Sequence, residues 1–312
     1  MRNIKIVIGA NFGDEGKGLM TDYFCHQAEQ RNENCIVVLH NGGAQRGHTV
    51  TTPTGIKHIF HHFGSGTFCG ADTYCSKDFI LNPMIFSQEF DELKVLGYEP
   101  KVYIHPLCKI TTPFDMILNQ IIEEHRSGNR HGSCGVGIYE TLLRTKENRY
   151  SIFLGELLFL TDEQIKKRLQ LIRDEWMRVR FKTEDIEFIS EEWSNVINSS
   201  SLIDHYLADL KFMKDVSVKA DDGILSHYKN IVFENGQGLL LDQNNTNYFP
   251  HLTPSNTGIQ NPLKIISKSF PNRNNLRIEA CYVTRTYLTR HGAGRLDNEC
   301  KREDINRDMF EI

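Results

Sequence analysis

The chain has 312 residues, with 36 Lys and Arg against 40 Asp and Glu, so its formal net charge is -4. Hydrophobic residues make up 39% and charged residues 24%, which excludes a disordered, collagen-like or coiled-coil chain. The absence of a basic surplus argues against nucleic-acid binding. Eight cysteines with irregular spacing favour reduced thiols over a disulfide framework. The first apolar run is too short for a signal peptide or a membrane span, so we expect a cytoplasmic protein.

The opening of the chain has the pattern of a strand-helix-strand unit. Ile4 to Ile8 is a short β-branched run that ends at a glycine, Leu19 to Gln30 has a helical pattern, and Ile36 to His40 is a second apolar run. Further strands are expected at Val102 to His105, Ile231 to Glu234 and Ile278 to Thr284. The pattern predicts an α/β fold with a mostly parallel central sheet and flanking helices, and ligands beyond the carboxyl ends of its strands.

The middle of the chain has a helical character. Thr161 to Gln164 has the spacing of a capping box. Two series of apolar residues then recur with helical periodicity, namely Ile165, Leu169, Ile172, Trp176 and Val179, followed by Leu202, Tyr206, Leu207, Leu210 and Met213. We expect a helical subdomain inserted at about 155–225 in a single domain that spans 1–312.

The first segment that carries chemistry runs from Gly9 to Gly18, between a strand and a helix. Its glycines allow backbone N–H groups to surround phosphate oxygens, and Lys17 can reach the outer phosphates. It differs from a Walker A loop because Asn11 and Gly18 occupy two of that motif's defining positions. Two acidic residues in a phosphate-binding loop would repel phosphate. For Asp14, either a magnesium ion that bridges it to the phosphates or a role as a base explains its presence.

Four more loops combine glycine with polar residues. The segment His40 to Thr49 places His48 beside the first loop, where it can face the same phosphates as Lys17. In the segment Phe233 to Gly238, Gln237 offers both a donor and an acceptor to the edge of a purine base. The other segments are Gly132 to Glu140, followed by Arg144; Leu252 to Thr257, which continues the Gln237 segment; and Thr284 to Gly294.

Together, these segments resemble those of adenylosuccinate synthetase, a family that condenses L-aspartate with C6 of inosine monophosphate by using GTP and magnesium. The segments that match are Phe12 to Gly18, Gly47 to Thr49, Gly236 to Gly238, Ser255 to Thr257 and Thr289 to Gly294. The resemblance implies a P-loop-like NTPase variant of that family's type. It also implies an aspartate- and nucleotide-dependent ligase that acts as a homodimer.

The resemblance also implies residue roles. The implied catalytic residues are Asp14 (the base), His48 (the acid), Lys17 and Gln237. The implied nucleotide-binding residues are Gly13, Glu15, Gly16, Lys17, Gly18, Gly47, His48 and Thr49. The implied substrate-binding residues are Asp14, Gln45, Ser133, Cys134, Arg144, Gln237, Thr253 and Arg290. Magnesium is implied at Asp14 and the carbonyl of Gly47, and Arg144 is expected to reach into a second subunit.

Departures from the family pattern leave alternatives open. Gln45 replaces a substrate-contacting asparagine, Arg46 adds a charge beside it, and the chain ends about a hundred residues earlier than usual family members. Short phage-associated relatives act on dGMP instead and often carry serine at the position of Asp14. We therefore expect IMP as substrate, with dGMP and either ATP or GTP as the alternative. Two other hypotheses remain. One is a catalytically silent nucleotide-binding homologue, and the other is an aspartate-independent phosphotransferase or NTPase.

Overall fold

The computed structural model describes residues 1–272, 274–290, 294–297, 299 and 300. The strands of its main sheet are β1 (Arg2–Gly9), β2 (Cys35–Leu39), β5 (Asp72–Cys75), β7 (Val102–Ile104), β9 (Ser217–Lys219), β10 (Asn230–Gly238) and β11 (Leu276–Val283). They lie in the order β11-β1-β10-β2-β5-β7-β9, and every neighbouring pair is parallel. This sheet confirms the expected fold class.

Two small sheets and a set of helices complete the fold. An antiparallel hairpin joins β3 (His48–Thr51) to β4 (Lys57–Phe60), and β6 (Ile80–Leu81) pairs in parallel with β8 (Lys109–Ile110). The helices of the described residues are α1 (Lys17–Glu29), α2 (Pro83–Val95), α3 (Pro113–Arg126), α4 (Ile138–Arg144), α5 (Leu154–Leu157), α6 (Asp162–Leu171), α7 (Met177–Thr183), α8 (Glu191–Asn198), α9 (Ser200–Val216) and α10 (Gln260–Ser269). In that part of the chain, none of them is both long enough and apolar enough to cross a bilayer.

The central sheet is buried on both faces, because its strands alternate between two apolar layers. In β1, Ile4, Ile6 and Ile8 pack into the layer that includes α10, whereas Val7 packs into the larger layer on the opposite face. The larger layer includes side chains of α2, α3, α6, α7 and α9. Two-sided burial explains why Ile4 to Ile8, β2 and Ile231 to Phe233 are largely apolar runs that could be predicted from sequence.

The helical middle of the chain contains the predicted capping box. Thr161 Oγ1 accepts from the backbone N–H of Gln164, whose side chain accepts from the backbone N–H of Thr161, and α6 starts there. A π-turn at Ile172–Trp176 follows α6. It shifts the helical register, since a π-turn adds a residue to the turn. As a result Arg180 is buried and Val179 is exposed, so the expectation that Val179 belongs to the apolar face is wrong.

The other differences from the sequence-based expectations concern short elements. Helix α1 starts at Lys17, two residues before the expected Leu19. Strands β5 and β9 were not predicted, since Asp72–Cys75 has no apolar run and Ser217–Lys219 is a short, largely exposed edge strand. The helices α5 to α9 lie between β8 and β9, within the range expected for the helical insertion.

Candidate active site

The loop between β1 and α1 encloses a carboxylate of its own. The backbone N–H groups of Asn11 and Gly13 donate to Glu15 Oε1 at 2.9 and 2.8 Å. Gly13 and Gly16 have φ values of 109° and 93°, in a region that glycine adopts without steric cost and that lets these amides turn inward. The loop is therefore an anion-binding cradle, and Glu15 lies in it as an internal anion.

Lys17 lies at the base of this cradle. Its Nζ donates to the carbonyl of Gly13 at 2.6 Å and lies 3.4 Å from Glu15 Oε2. Burial lowers the pKa of Lys17, while the charges of Glu15 and Asp14 act in the opposite direction. The lysine thus supplies positive charge to a site shielded from water, where electrostatic interactions are strong.

Asp14 lies at the outer part of the same loop and is half-buried. Its Oδ2 accepts from the hydroxyl of Thr289 at 3.5 Å, so the segment after β11 contacts the loop after β1. A partly accessible carboxylate beside a lysine and an anion cradle has the chemistry required to accept a proton or to ligate a hard cation.

His48 is held by a buried glutamate in the middle of β10. Its Nδ1 lies 2.6 Å from Glu234 Oε1, and its Nε2 is buried without a hydrogen-bond partner in the described structure. The other Glu234 oxygen accepts from Arg46 at 2.9 Å and from the backbone N–H of Ser65 at 3.1 Å, and the Ser65 hydroxyl donates to Glu234 Oε1. This network fixes the imidazole through its Nδ1 and leaves its Nε2 available to a ligand.

The electrostatics of this pair follow from burial and from Arg46. Burial and then the Arg46 charge lower the pKa of His48 to about 4, although Glu234 opposes the shift. Burial alone would raise the pKa of Glu234, but Arg46 and His48 lower it to about 2. At neutral pH the glutamate is therefore ionised and the imidazole is neutral, with its proton on Nδ1 facing the carboxylate.

Two glycines bring the loops around His48 and Gln237 against the first loop. A Cβ at Gly18 would lie 2.8 Å from His48 Cβ, and a Cβ at Gly238 would lie 2.1 Å from the carbonyl oxygen of Asn11. Gln237 Oε1 lies 3.5 Å from the place where a Cβ would stand on Gly13. The first turn of α1 thus abuts His48, and the end of β10 places Gln237 beside the cradle.

Two buried asparagines connect the loops after β2 and β10. Asn41 Oδ1 accepts from the backbone N–H of Gly236 at 2.8 Å, and Asn41 Nδ2 donates to Asn235 Oδ1 at 2.5 Å. Asn41 also donates to the carbonyl of Asn256 at 3.0 Å, and Asn235 donates to the carbonyl of Thr257. Because these groups are buried and paired, they fix the relative positions of the loops.

Arg290 contacts the first loop through aromatic rings. Its guanidinium lies 4.8 Å from the ring centroid of Phe12 and 5.3 Å from that of Tyr248, and it donates to the carbonyls of Arg295 and His251 at 2.6 and 3.1 Å. Burial lowers the pKa of Arg290. The expected segment continues through His291, Gly292 and Ala293, which lie outside the described residues.

The loop that contains Ser133 and Cys134 holds a second internal carboxylate. The backbone N–H groups of His131, Gly132 and Ser133 donate to Glu123 of α3 at 3.4, 2.9 and 3.4 Å. Ser133 and Cys134 are exposed. His251 Nδ1 lies 3.1 Å from the carbonyl of His131, so this loop adjoins the segment that leads to Thr253. Successive amides around an anion are typical of phosphate-binding turns.

Arg144, expected to bind substrate, lies in a buried network at the start of α3. Its side chain is fully buried. It pairs with Asp115 at 2.8 Å and donates to the carbonyls of Tyr150 and Ile110 at 2.6 and 2.7 Å. Asp115 is in turn the N3 residue of the capping box that starts α3 at Thr112. These contacts enclose the guanidinium within its own chain and give Arg144 a structural role in the described fold.

The remaining predicted residues lie on the rims of these loops. Gly47 and Thr49 are exposed on either side of His48, and Thr253 is buried, with its backbone N–H donating to the carbonyl of Leu241 at 2.9 Å. Gln45 is half-buried, and its Oε1 has no hydrogen-bond partner among the described residues. An unpaired buried amide oxygen facing the loop is available to a ligand donor.

Sequence reasoning assigned no role to Glu234 or Ser65. The position of Glu234 carries a signal, because an acid directly after the apolar residues Ile231 to Phe233 predicts a buried charge that needs a partner. Ser65 gives no such signal, since it contacts Glu234 only through the tertiary fold, 169 residues away in sequence.

The sequence model of the adenylosuccinate synthetase family matches residues 6–311. A curated adenylosuccinate synthetase of Mesoplasma florum is 28% identical over 306 residues, covering 96% of this chain and 66% of the relative. The relative from Synechocystis is 32% identical over 254 residues, covering 80% of this chain and 53% of the relative. The chain therefore spans about half to two thirds of the length of these relatives.

Solved structures show the same fold. A fully ligated adenylosuccinate synthetase from Plasmodium falciparum superposes with a TM-score of 0.69 at 21% identity, covering 94% of this chain and 64% of that one. The succinoaminodeoxyadenylate synthetase of cyanophage S-2L, bound to dGMP and to dATP as an energy donor, has a TM-score of 0.56 at 12% identity, covering 90% of this chain and 64% of that one.

Proposed function

This chain belongs to the adenylosuccinate synthetase family, and from that premise we propose that it condenses L-aspartate with C6 of inosine 5′-monophosphate, driven by GTP. The product is adenylosuccinate, so the protein is a carbon–nitrogen ligase of purine biosynthesis. One arrangement carries the proposal: Lys17 in the anion cradle, His48 beside the first turn of α1 and Gln237 beside Gly13 all surround one loop.

The 6-oxo group of a purine is a poor leaving group, so the reaction needs two steps. Asp14 accepts the N1 proton, and O6 then attacks the γ-phosphorus of GTP, with GDP as the leaving group. The amine of aspartate next attacks C6, loses a proton and displaces phosphate. The half-buried position of Asp14 near Lys17 supports the base role, since a base must be accessible to the proton that it removes, and Lys17 holds the phosphates next to the purine.

His48 assists the transfer of the γ-phosphoryl group. Glu234 holds its Nδ1, and its buried Nε2 is available for a phosphoryl oxygen. A phosphate dianion next to this nitrogen raises the pKa of the ring above its value of about 4 in the free protein. The ring can then gain a proton and donate a charged hydrogen bond as negative charge develops.

The donor set suits magnesium. The carboxylate of Asp14 and the carbonyl of Gly47 are oxygen ligands at accessible positions, and Mg²⁺ prefers a few such ligands together with phosphate oxygens. When bound, the ion neutralises charge on the β- and γ-phosphates. Lys17 and the inward amides of the loop hold the same phosphates by exchanging Glu15 for phosphate oxygens.

The purine monophosphate lies, in this proposal, between the loops after β10 and α3. Gln237 contacts the base, while Ser133, Cys134 and Thr253 hold the 5′-phosphate where Glu123 now occupies the amides. Gln45 and Arg290 make further contacts with the substrates. Arg144 is excluded from this set because it is buried within its own chain.

A coupled assay tests the reaction. IMP and dGMP are each supplied with GTP or ATP, with and without aspartate and magnesium, and phosphate release and the succinylated purine are measured. Product from IMP that requires GTP, magnesium and aspartate together supports the proposal. Product from dGMP instead supports the alternative, a dGMP-dependent synthetase. This alternative is tested because the cyanophage enzyme, which was solved with dGMP, shares the fold. Turnover without aspartate indicates a phosphotransferase, and GTP binding without any turnover indicates a silent homologue.

We further propose a cytoplasmic homodimer. The reaction uses nucleotides and aspartate, which are metabolites of the cytoplasm, and the free thiols of the described residues fit a reducing compartment. Sedimentation equilibrium measures the subunit number, and a mass of two chains is expected. A monomer that remains fully active would contradict the dimer without affecting the proposed reaction.

A further inference from the structure

Helix α1 brings three potential metal ligands together one turn or more beyond the phosphate cradle. Asp22, His26 and Glu29 are spaced four and three residues apart, so they share one face of the helix. Cys69 approaches this face from the short 3₁₀ turn Thr67–Cys69, which packs against α1. Nδ1 of His26, a carboxylate oxygen of Glu29 and Sγ of Cys69 all lie within 4.8 Å of one another.

The separations in this cluster suit a single small cation. Nδ1 of His26 lies 3.0 Å from Glu29 Oε2, and Sγ of Cys69 lies 3.3 Å from Asp22 Oδ1. In a tetrahedral zinc site with bonds of about 2.0–2.3 Å, ligand atoms lie about 3.3–3.8 Å apart. The donor atoms of His26, Glu29 and Cys69 lie within 4.8 Å of one another, so small rotations of these three side chains place them at bonding distance from one ion.

We propose that Cys69, His26 and Glu29 form a binding site for a thiophilic divalent cation, best matched by Zn²⁺. The combination of thiolate, imidazole and carboxylate favours zinc over the hard cations magnesium and calcium, which prefer oxygen ligands alone. This site is separate from the proposed magnesium site, since its ligands come from the body of α1 and from the 3₁₀ turn.

The cluster is electrostatically suited to a cation. Asp22 and Glu29 place two carboxylates beside the Cys69 thiol. These carboxylates and the thiolate formed on binding carry like charges, and a divalent ion offsets their repulsion. On binding, the thiol proton passes to solvent and a sulfur–metal bond replaces the hydrogen bond from Cys69 to Asp22.

Gln30 supplies the outer contact that a ligating histidine needs. Its side-chain nitrogen lies 3.0 Å from His26 Nε2. With its amide turned over, the Gln30 oxygen accepts from Nε2–H, and the lone pair of Nδ1 is then directed at the cluster. Outer partners of this kind fix the tautomer of metal-bound histidines.

Cobalt binding to the full chain, without nucleotide, tests the proposal. Thiolate-bound Co²⁺ gives a charge-transfer absorption, and neither the segment Gly9 to Gly18 nor the segment His40 to Thr49 contains a cysteine, so cobalt at the proposed magnesium site gives no such signal. We expect one equivalent of Co²⁺ with this absorption and its displacement by Zn²⁺. Absence of the absorption overturns the proposal.

Variants locate the ligands. Cys69→Ser should abolish the charge-transfer absorption, and His26→Ala and Glu29→Gln should each weaken Zn²⁺ binding by at least about tenfold. Matched controls are Cys281→Ser, a similarly half-buried thiol on β11, and His227→Ala, an exposed histidine, and both should bind as the unsubstituted chain does. His26 and Glu29 are exposed, so their replacement leaves folding intact, and unchanged affinity in both variants also overturns the proposal.

Discussion

Nδ1 of His48 lies 2.6 Å from Oε1 of Glu234, and both side chains are almost completely buried. Glu234 also accepts from Arg46 and from Ser65, so it connects the catalytic candidate to both of these residues. It touches none of the proposed reacting atoms itself, and we therefore regard it as a positioning residue for His48.

Replacement of Glu234 tests this role. Glu234→Gln removes the charge that raises the pKa of His48, so that pKa should fall below its value of about 4, and a protonated ring becomes harder to form. We expect a lower kcat with little change in the KM for GTP, together with a shifted pH profile. Histidine NMR titration and steady-state kinetics measure both effects.

Ser65→Ala is the milder comparison, since it removes one donor to Glu234 and keeps the carboxylate. Glu234→Asp should restore part of the lost rate. A Glu234→Gln protein with unchanged His48 titration and unchanged kcat would contradict the positioning role.

Asp14→Asn tests the proposed base. The amide can still accept from Thr289, but it cannot take the N1 proton, so kcat should fall by about 10²–10⁴-fold. GTP binding measured by calorimetry without magnesium should be largely retained. The matched control is Asp185→Asn, at an exposed position with φ 53°, a conformation that asparagine tolerates. Full activity of Asp14→Asn would remove Asp14 from the mechanism.

Gly238→Ala tests the contact between β10 and the first loop. The new Cβ would lie 2.1 Å from the carbonyl oxygen of Asn11, so the loop must move, at a cost of about 1–3 kcal/mol in stability. A displacement of about 1 Å in a catalytic loop can lower the rate about 100-fold, which steady-state kinetics would detect. Gly128→Ala is the control because no atom lies within 4 Å of its Cβ position. Equal activity of the two variants would show that the contact does not position the site.

Arg144→Met tests the structural role assigned to this arginine. It leaves Asp115 buried without its cation, and breaking a buried pair in this way costs about 3–5 kcal/mol. Denaturant unfolding measures the loss. Arg149→Met, at a pair with Glu175 whose arginine is 62% exposed, should cost at most about 1 kcal/mol. A normal free energy of unfolding for Arg144→Met, with a raised KM for the purine monophosphate, would instead favour a role in phosphate binding.

The stability of the protein should fall in acid partly because of His40. Both ring nitrogens of this fully buried residue lack partners in the described structure, and burial lowers its pKa from 6.5 to about 3. The unfolded chain therefore binds an additional proton between these pH values, so the contribution is complete above pH 6.5 and is lost as the pH falls through this window. The expected slope is about 1.4 kcal/mol per pH unit.

His40→Leu should lower the pH dependence of stability between about pH 6.5 and 3 by about 1.4 kcal/mol per pH unit, as measured by denaturant unfolding at a series of pH values. His227→Leu, at an exposed position, should keep it. Because the comparison uses slopes, a constant change in stability caused by the substitution does not affect it. Parallel pH dependences in His40→Leu and the unsubstituted chain would contradict the prediction.

The sequence was sufficient to predict the parts of the fold that local patterns encode. Ile4 to Ile8 and Ile231 to Phe233 are apolar because both faces of the sheet are covered, and the box at Thr161 depends on residues three positions apart. The loop from Gly9 to Gly18 was recognisable because its glycines and its lysine occur in one continuous segment.

Pairings between distant segments could not be predicted. Arg144 pairs with Asp115, which lies 29 residues earlier in the sequence. The spacing of residues in the sequence does not distinguish a buried arginine from one that contacts a ligand. Val179 was misplaced because the π-turn at Ile172–Trp176 changes the period that the prediction assumed. The network at Glu234 similarly depends on the tertiary fold bringing Arg46 and Ser65 to the middle of β10.

Glu15 has a consequence for how nucleotides enter. Its carboxylate already satisfies the amides of Asn11 and Gly13 and lies close to Lys17, so the turn keeps its shape without help from outside. In the proposed binding, an incoming triphosphate replaces this carboxylate, so the net gain in binding free energy is the difference between two anions and not the full value for one. An anion with little charge therefore does not displace the Glu15 carboxylate, and this turn favours strongly charged anions.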